Sequence, residues 1–161
     1  RGLTYALIWK YPPRNKKESY LKTTQWLKDG FKKAGVDLFF GNQPENISNT
    51  NCFSTSTLAD LVDEEKNKHI GNAQYWKKGH LLQHGEILME PSKQLWKKVF
   101  KTVPPKIKND IKDKDKVINA LKESFSKTWT NIKLSNYTLN KKEKEQIKHL
   151  YIKNFNKLNN F

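Results

Sequence analysis

The one cysteine of this sequence, Cys52, and three of its four histidines fall in a single stretch between Asn51 and Pro91. A thiol with an unperturbed pKa of about 8.5 is mostly protonated at neutral pH, but once deprotonated it is the strongest nucleophile among ordinary side chains. His84, in an otherwise apolar segment, is a candidate proton shuttle or hydrogen-bonding group. The stretch therefore has the groups that covalent catalysis by a thiol uses. The competing hypotheses are that Cys52 is a small buried apolar residue and that His84 is structural.

Two glycines, Gly71 and Gly85, interrupt segments of this stretch that otherwise have strand character. Glycine inside a strand marks a bulge or a close approach of a ligand to the backbone. Lys68 lies three residues before Gly71, and Ala73 follows, so these small residues would let a substrate lie close to the strand beside the lysine amine. The alternative for Lys68 is a solvated side chain in a charged turn.

A metal site is the other chemistry that these side chains permit. Zinc is bound by cysteine and histidine, and the candidate ligands are Cys52, His69, His80 and His84. A lone cysteine without a repeated ligand pair is not typical of a zinc site, and we expect no metal.

The periodicity of apolar residues predicts the elements that must position these groups. Alternation from Leu3 to Trp9 indicates a first strand, and further strand patterns span residues 36–40, 58–62, 69–76 and 79–89, of which the last three predict an antiparallel meander. Helical spacing covers residues 19–34, 95–100, 117–132 and 147–158. Gly35 is suited to end the first helix, and Asn140 with Glu143 forms a capping box before the last. The order predicts an α+β fold, a largely antiparallel sheet flanked by helices.

The composition suits one compact unit, with 35% hydrophobic and 29% charged residues among 161. Without an apolar run near the roughly 20 residues that cross a bilayer, and with one cysteine, the sequence predicts a soluble, cytoplasmic protein with no membrane partner. Its formal charge of +15 would attract an acidic partner. Nucleic acid is the less favoured partner because only Arg1 and Arg14 offer bidentate contacts. A non-catalytic, basic nucleic-acid-binding module stays the alternative from another functional class.

A longer motif covers the middle of the chain. Lys68-x-x-Gly-Asn-Ala-Gln, followed by Gly79-x-Leu-Leu-Gln-His-Gly-x-Ile-Leu, resembles the signature of the biotin/lipoate protein ligase family, which includes lipoate-protein ligases and octanoyltransferases. The element Cys52-Phe-x-x-x-Thr resembles the octanoyltransferase branch, in which a loop cysteine carries the acyl group as a thioester. The resemblance implies that Cys52 and Lys68 are catalytic, Lys68 by contacting the acyl carbonyl. The acyl or substrate-binding residues that it implies are Gly71, Asn72, Ala73, Gln74, Gln83, His84 and Gly85.

The activity that the resemblance implies is the transfer of an octanoyl or lipoyl group to a lysine of a carrier domain. As a transferase, the protein would take the acyl group from an acyl carrier protein onto Cys52 and pass it to a lipoyl domain or to the H protein of glycine cleavage, without a cofactor. As a ligase, it would use ATP and Mg²⁺ to activate lipoate or octanoate as an adenylate held by Lys68. Cys52 would then have no role.

The resemblance also predicts how the chain is divided. Residues 1–103 would form part of a catalytic domain, and residues 104–161 a C-terminal helical part packing on the same domain. Family members carry an Arg-Arg-x-Thr-Gly-Gly segment and a histidine before the strand that residues 3–8 resemble, whereas this sequence starts after that segment and without methionine. We therefore expect an N-terminally truncated member of the family.

Overall fold

The computed structural model describes residues 2–42, 56–107 and 111–158. Its elements in chain order are β1 (Gly2–Lys10), α1 (Lys16–Lys33), β2 (Phe39–Phe40), β3 (Leu61–Val62), β4 (Lys68–Lys77), β5 (His80–Leu88), α2 (Lys93–Phe100), α3 (Lys114–Thr128) and α4 (Lys141–Leu158). Strands and helices in this arrangement confirm the predicted α+β class.

The strands form one antiparallel sheet in the order β1-β5-β4-β3-β2. Consecutive pairing of β3, β4 and β5 confirms the predicted meander. Lys78 and Gly79 connect β4 to β5 with φ angles of 48° and 73°, the left-handed two-residue turn that matches the twist of the strands. β1 pairs with the other edge of β5, so β1, β5 and β4 lie side by side and their residues form rows of three.

Helix α1 has local signals at both ends. The side chain of Asn15 accepts a hydrogen bond from the backbone N of Glu18 at 3.3 Å, an N-cap that satisfies one of the free N–H groups of the first turn. Gly35 follows the helix with a φ of 97°, which glycine adopts without steric cost. The predicted end of the helix at Gly35 is confirmed.

Helices α1 and α3 pack together against one face of the sheet, which we call the core face. Leu27 and Phe31 of α1 and Val117 of α3 are fully buried there, together with Ile70 and Ile87 of the sheet. These side chains form one continuous apolar cluster, and its burial is the main favourable contribution to folding.

The opposite face of β1, β5 and β4 is exposed, and we call it the open face. Burial alternates along β5, where Leu81 and Gln83 are buried while His80 and His84 are exposed. The open face consists of four rows: Thr4–Glu86–Gly71, Ala6–His84–Ala73, Ile8–Leu82–Tyr75 and Lys10–His80–Lys77.

Two predicted strands are shorter in the structure, because only Phe39–Phe40 and Leu61–Val62 pair. The backbone N of Val36 donates to the carbonyl O of Phe31 at 2.9 Å, so this residue belongs to the C-terminal cap of α1. Residues 57–60 form a turn, in which Asp60 N donates to Thr57 O at 3.0 Å. Helix α3 ends at Thr128 instead of residue 132.

The two helices beyond residue 104 differ in packing. Val117, Ala120 and Leu121 of α3 belong to the core cluster. The side chains of residues 141–153 in α4 are exposed apart from a half-buried Glu143, which forms the predicted capping box with Asn140. The domain division at residue 103 stays a prediction. Within the described ranges no helix has both the length and the apolarity needed to cross a bilayer.

Two leucines of α1 provide a matched test of this core. Leu27 is fully buried, whereas Leu21 is 40% exposed on the same helix. We expect Leu27→Ala to lower the free energy of unfolding by about 2–5 kcal/mol, through lost burial and the cavity left behind. Leu21→Ala should lower it by less than about 1 kcal/mol. Urea denaturation followed by circular dichroism measures both, and equal losses would contradict the packing described here.

Candidate functional site

A cavity of about 660 Å³ lies at the β1–β5–β4 part of the sheet. Its volume falls in the range of small-molecule sites, which is about 300–1,000 Å³. The sheet forms the floor of the cavity. The small residues Gly71, Ala73 and Ala6 leave space above the strands here, because larger side chains would fill it. Six of the predicted site residues line it, namely Lys68, Gly71, Asn72, Ala73, His84 and Gly85, together with Thr4, Tyr5, Ala6 and Glu86.

Lys68 reaches this cavity from the first position of β4. Its side chain is only 9% exposed, and Nζ lies 3.0 Å from Oδ2 of Asp60, whose side chain is 5% exposed. Desolvation of two charges is costly, so a buried pair of this kind persists where further hydrogen bonds satisfy the carboxylate. The structure therefore places a cationic amine at the site with its position fixed by an ion pair.

Asp60 was missed by the sequence analysis. Its Oδ1 accepts a hydrogen bond from the backbone N of Asn72 at 3.1 Å, and its Oδ2 accepts one from the backbone N of Thr57 at 2.8 Å. A Thr-x-x-Asp spacing, with a hydroxyl and a carboxylate three residues apart, is typical of a local side-chain-capped turn and was the available signal. The partnership with Lys68 had no local signal.

Gly85 allows Tyr5 of β1 to reach Asn72 of β4 across the strand between them. The Tyr5 hydroxyl donates to Oδ1 of Asn72 at 2.5 Å, and Asn72 Nδ2 donates to the carbonyl O of Ala59 at 2.6 Å. A Cβ atom at position 85 would lie 2.3 Å from Asn72 Oδ1 and 2.7 Å from Tyr5 Cε1. On the core face, Gly85 is thus approached closely by the tyrosine ring, and the predicted approach of a ligand to this glycine stays a prediction.

Tyr5 stays a protonated hydrogen-bond donor. Burial raises the pKa of Tyr5 well above its ordinary value; the hydrogen bond from Gln83 lowers it in part, and the nearby Tyr20 and Asp60 add smaller increases. The neutral phenol donates its hydrogen bond to Asn72. Tyr5 was also missed by the sequence analysis, which treated it only as part of a strand.

Gln74 and Gln83 do not line the cavity. Gln83 is fully buried on the core face, where Nε2 donates to the Tyr5 hydroxyl at 2.9 Å and its Oε1 accepts from Gln74 Nε2 at 2.8 Å. Thr23 of α1 donates to the same Oε1. The two amides therefore connect helix α1 to the Tyr5–Asn72 hydrogen bond, and their predicted contact with substrate stays a prediction.

His69 and Asp63 form a second buried pair next to Lys68. His69 Nε2 lies 2.8 Å from Asp63 Oδ2, and neither side chain is more than 3% exposed. Burial by itself would raise the pKa of Asp63, but hydrogen bonds from His69 and Asn67 outweigh it and hold the pKa below its ordinary value. The charged carboxylate closes the turn before β4, because Asn67 N donates to Asp63 Oδ1 at 2.9 Å.

The predicted nucleophile, Cys52, lies outside the described residues. The three histidines considered as zinc ligands do not cluster. His69 is buried against Asp63, whereas His80 and His84 lie in different rows of the open face. Within residues 2–42, 56–107 and 111–158, no three histidine, cysteine, aspartate or glutamate side chains are grouped as a metal would require.

Comparisons with curated proteins find relatives of one kind. No family model matches the sequence. Octanoyltransferase LipM of Geobacillus kaustophilus is 30% identical over 179 aligned positions, which cover 93% of this chain and 64% of the relative. Octanoyltransferase LipM of Bacillus subtilis is 29% identical over 178 positions, which cover 92% and 63%. The chain therefore spans less than two thirds of the length of these relatives.

Solved structures share the fold. A lipoate-protein ligase A bound with ATP matches with a TM-score of 0.72 at 20% identity, covering 94% of this chain and 61% of the other. A bipartite lipoate protein ligase of Thermoplasma acidophilum, described with its E2 lipoyl domain, matches with a TM-score of 0.61 at 17% identity, covering 94% and 60%. The architecture predicted from the sequence is thereby confirmed.

Gly85→Ala tests the Tyr5–Asn72 crossing. The added methyl group would meet Asn72 Oδ1 and, at 2.7 Å, the backbone O of Gly71, so the strands or the tyrosine must move. We expect the free energy of unfolding to fall by about 1–3 kcal/mol, measured by urea denaturation. His84→Ala, at the exposed neighbouring position, should change it by no more than about 0.5 kcal/mol. A Gly85→Ala protein as stable as the parent would contradict the crossing.

Proposed function

We infer that the chain belongs to the biotin/lipoate protein ligase family, in its octanoyltransferase branch, and we propose that the protein is an acyltransferase that moves an octanoyl or lipoyl group onto a lysine of a lipoyl-carrier domain. The observation that carries the proposal is the buried amine of Lys68 at a cavity lined by glycine and alanine. Such a cavity accepts an extended aliphatic chain, and the amine provides the polar group that fixes its carbonyl end.

In the first half of the proposed reaction, Cys52 accepts the acyl group. The Cys52 thiolate adds to the carbonyl carbon of an acyl thioester on a carrier, and the resulting tetrahedral intermediate expels the carrier thiolate, which takes up the proton that Cys52 lost. In the second half, the neutral amine of the acceptor lysine adds to the Cys52 thioester. The amide forms, the Cys52 thiolate is expelled, and the proton lost by the amine passes to that sulfur or to solvent.

Lys68 is proposed to stabilise the oxyanion in both halves. Its ammonium, 3.0 Å from the Asp60 carboxylate, is held in place before the substrate arrives, which is the condition for effective transition-state stabilisation. Asp60 also binds the backbone N of Thr57, five residues after Cys52, and its own carbonyl O accepts from Gly41 N at 3.0 Å. This pattern supports a role of Asp60 in positioning both Lys68 and the backbone at Thr57.

The transferase needs no cofactor, and its proposed partners are an acidic acyl carrier protein as donor and a lipoyl domain or the H protein of glycine cleavage as acceptor. A cytoplasmic location, where Cys52 stays reduced, agrees with this chemistry. The solved ligase bound with ATP supports a second candidate, a ligase that forms an acyl-adenylate. Mg²⁺ is bound by one or two carboxylates together with substrate phosphates, so Glu86, the one carboxylate among the residues that line the cavity, would be the protein ligand in the ligase, and ATP dependence separates the two candidates.

Mass spectrometry of the intact protein tests the role of Cys52. After mixing with octanoyl-acyl carrier protein and without ATP, the protein should gain one octanoyl group, and Cys52→Ala should gain none and should lose transfer to a lipoyl domain. His149→Ala, at an exposed position of α4 away from the cavity, serves as a variant that keeps the thiol and should still form the adduct. A parent protein that never forms the adduct, but makes product from free octanoate with ATP, would establish the ligase in place of the transferase.

Lys68 needs a test that separates chemistry from folding, because removing one partner of a buried ion pair typically costs about 3–5 kcal/mol. The double variant Lys68→Met/Asp60→Asn leaves no unpaired charge, and we expect it to retain the fold by circular dichroism. Its transfer rate should fall by about 10²–10³-fold, the usual effect of losing an oxyanion stabiliser. A folded double variant with the rate of the parent would remove Lys68 from the mechanism.

A further inference from the structure

Beyond the cavity, the residues of the open face change along the strands from small, to large and apolar, to basic. The row next to the cavity floor consists of Ile8, Leu82 and Tyr75, which we call the apolar row, and the next consists of Lys10, His80 and Lys77, which we call the basic row. Ile8 is 74% exposed and Tyr75 is 59% exposed. Large apolar side chains displayed together on an exposed sheet face mark an interaction surface.

The charges on this face are ordered along the strands. Of the twelve residues in the four rows, Glu86 is the one acidic residue, and it lies in the row farthest from the basic row. Lys10 and Lys77 are exposed, and Lys10 Nζ lies 5.1 Å from the centre of the exposed Tyr11 ring beside them. An acidic surface placed on the open face would therefore be attracted at one end of the strands and repelled at the other, which fixes its orientation.

We propose that the apolar row and the basic row form the docking surface for the acidic carrier protein that delivers the acyl group to the cavity. The proposal rests on the proposed function and adds the surface that recognises the donor. Carboxylates of the carrier bind Lys10 and Lys77, and apolar side chains of the carrier pack against Ile8 and Tyr75.

The distances suit a single interface. Successive residues on one face of a strand are about 7 Å apart, so the basic row lies about 13 Å from the Ala6–His84–Ala73 row that floors the cavity. A standard interface buries about 800 Å² on each partner, a patch about 30 Å across. One carrier domain can thus contact the basic row and still present its acyl group at the cavity.

A protein partner is favoured over nucleic acid by the residues themselves. The basic row contains no arginine, the residue that makes bidentate contacts with phosphates and bases. An apolar patch on a protein partner would bury the apolar row, whereas a phosphate backbone would leave these side chains exposed to water.

Charge reversal at the basic row tests the proposal with a matched control. In Lys10→Glu/Lys77→Glu, we expect the KM for octanoyl-acyl carrier protein to rise about tenfold or more at low salt, with acylation by a small octanoyl thioester unchanged. The neutral variant Lys10→Gln/Lys77→Gln should show a smaller rise. Lys93→Glu/Lys112→Glu makes the same change in charge at exposed lysines beside Met89, beyond the opposite end of β5, and should leave the KM as in the parent.

Direct titration of the carrier protein onto the parent and the variants, by calorimetry or NMR, separates docking from catalysis. If the parent forms no acyl-enzyme but binds the carrier through Lys10 and Lys77, the docking surface stands and the proposed function fails. An unchanged KM and unchanged binding in the Lys10→Glu/Lys77→Glu protein would overturn the docking surface. Binding of nonspecific duplex DNA that depends on these lysines, without binding of the carrier, would overturn it as well.

Discussion

The carboxylate of Asp60 connects the turn that precedes β3 to two positions of β4. It pairs with the amine of Lys68, accepts the backbone N of Asn72 in β4, and accepts the backbone N of Thr57 at the start of the turn that precedes β3. A carboxylate that is 5% exposed is tolerated only with several partners, so each contact depends on the others. The ion pair with Asp60 thus contributes to holding the amine at the cavity.

The sheet divides the molecule into a side that holds the structure together and a side that is available to a ligand. On the core face, Gln83 connects Thr23 of α1 to Tyr5, and Tyr5 in turn holds Asn72. These polar groups are satisfied among themselves beneath the site, which favours a single arrangement of the strands above them. On the open face, glycine and alanine leave the backbone accessible, because side chains of adjacent positions point to opposite sides of a strand.

Two sets of residues alternate along β4. Asn72 and Gln74 are engaged in hydrogen bonds with Tyr5 and Gln83, while Gly71 and Ala73, which alternate with them, form the floor of the cavity. A motif that matches a family over consecutive residues therefore contains two kinds of position. One kind fixes the backbone, and the other leaves space for the acyl chain of the proposed reaction.

The sequence by itself determined the long elements, since the alternation in β1, β4 and β5 and the helical spacing with caps in α1 and α4 are local properties that need no tertiary contact. It also determined the motif that relates Lys68 to Gly71, Ala73 and Gly85. Only the tertiary structure decided that Asp60 pairs with Lys68, that Tyr5 crosses Gly85 to reach Asn72, and that Gln74 and Gln83 face the helices. The reason is physical: these contacts join residues from different elements of the fold, and their geometry is set by strand register and by burial, which arise only when the whole sheet packs against α1 and α3.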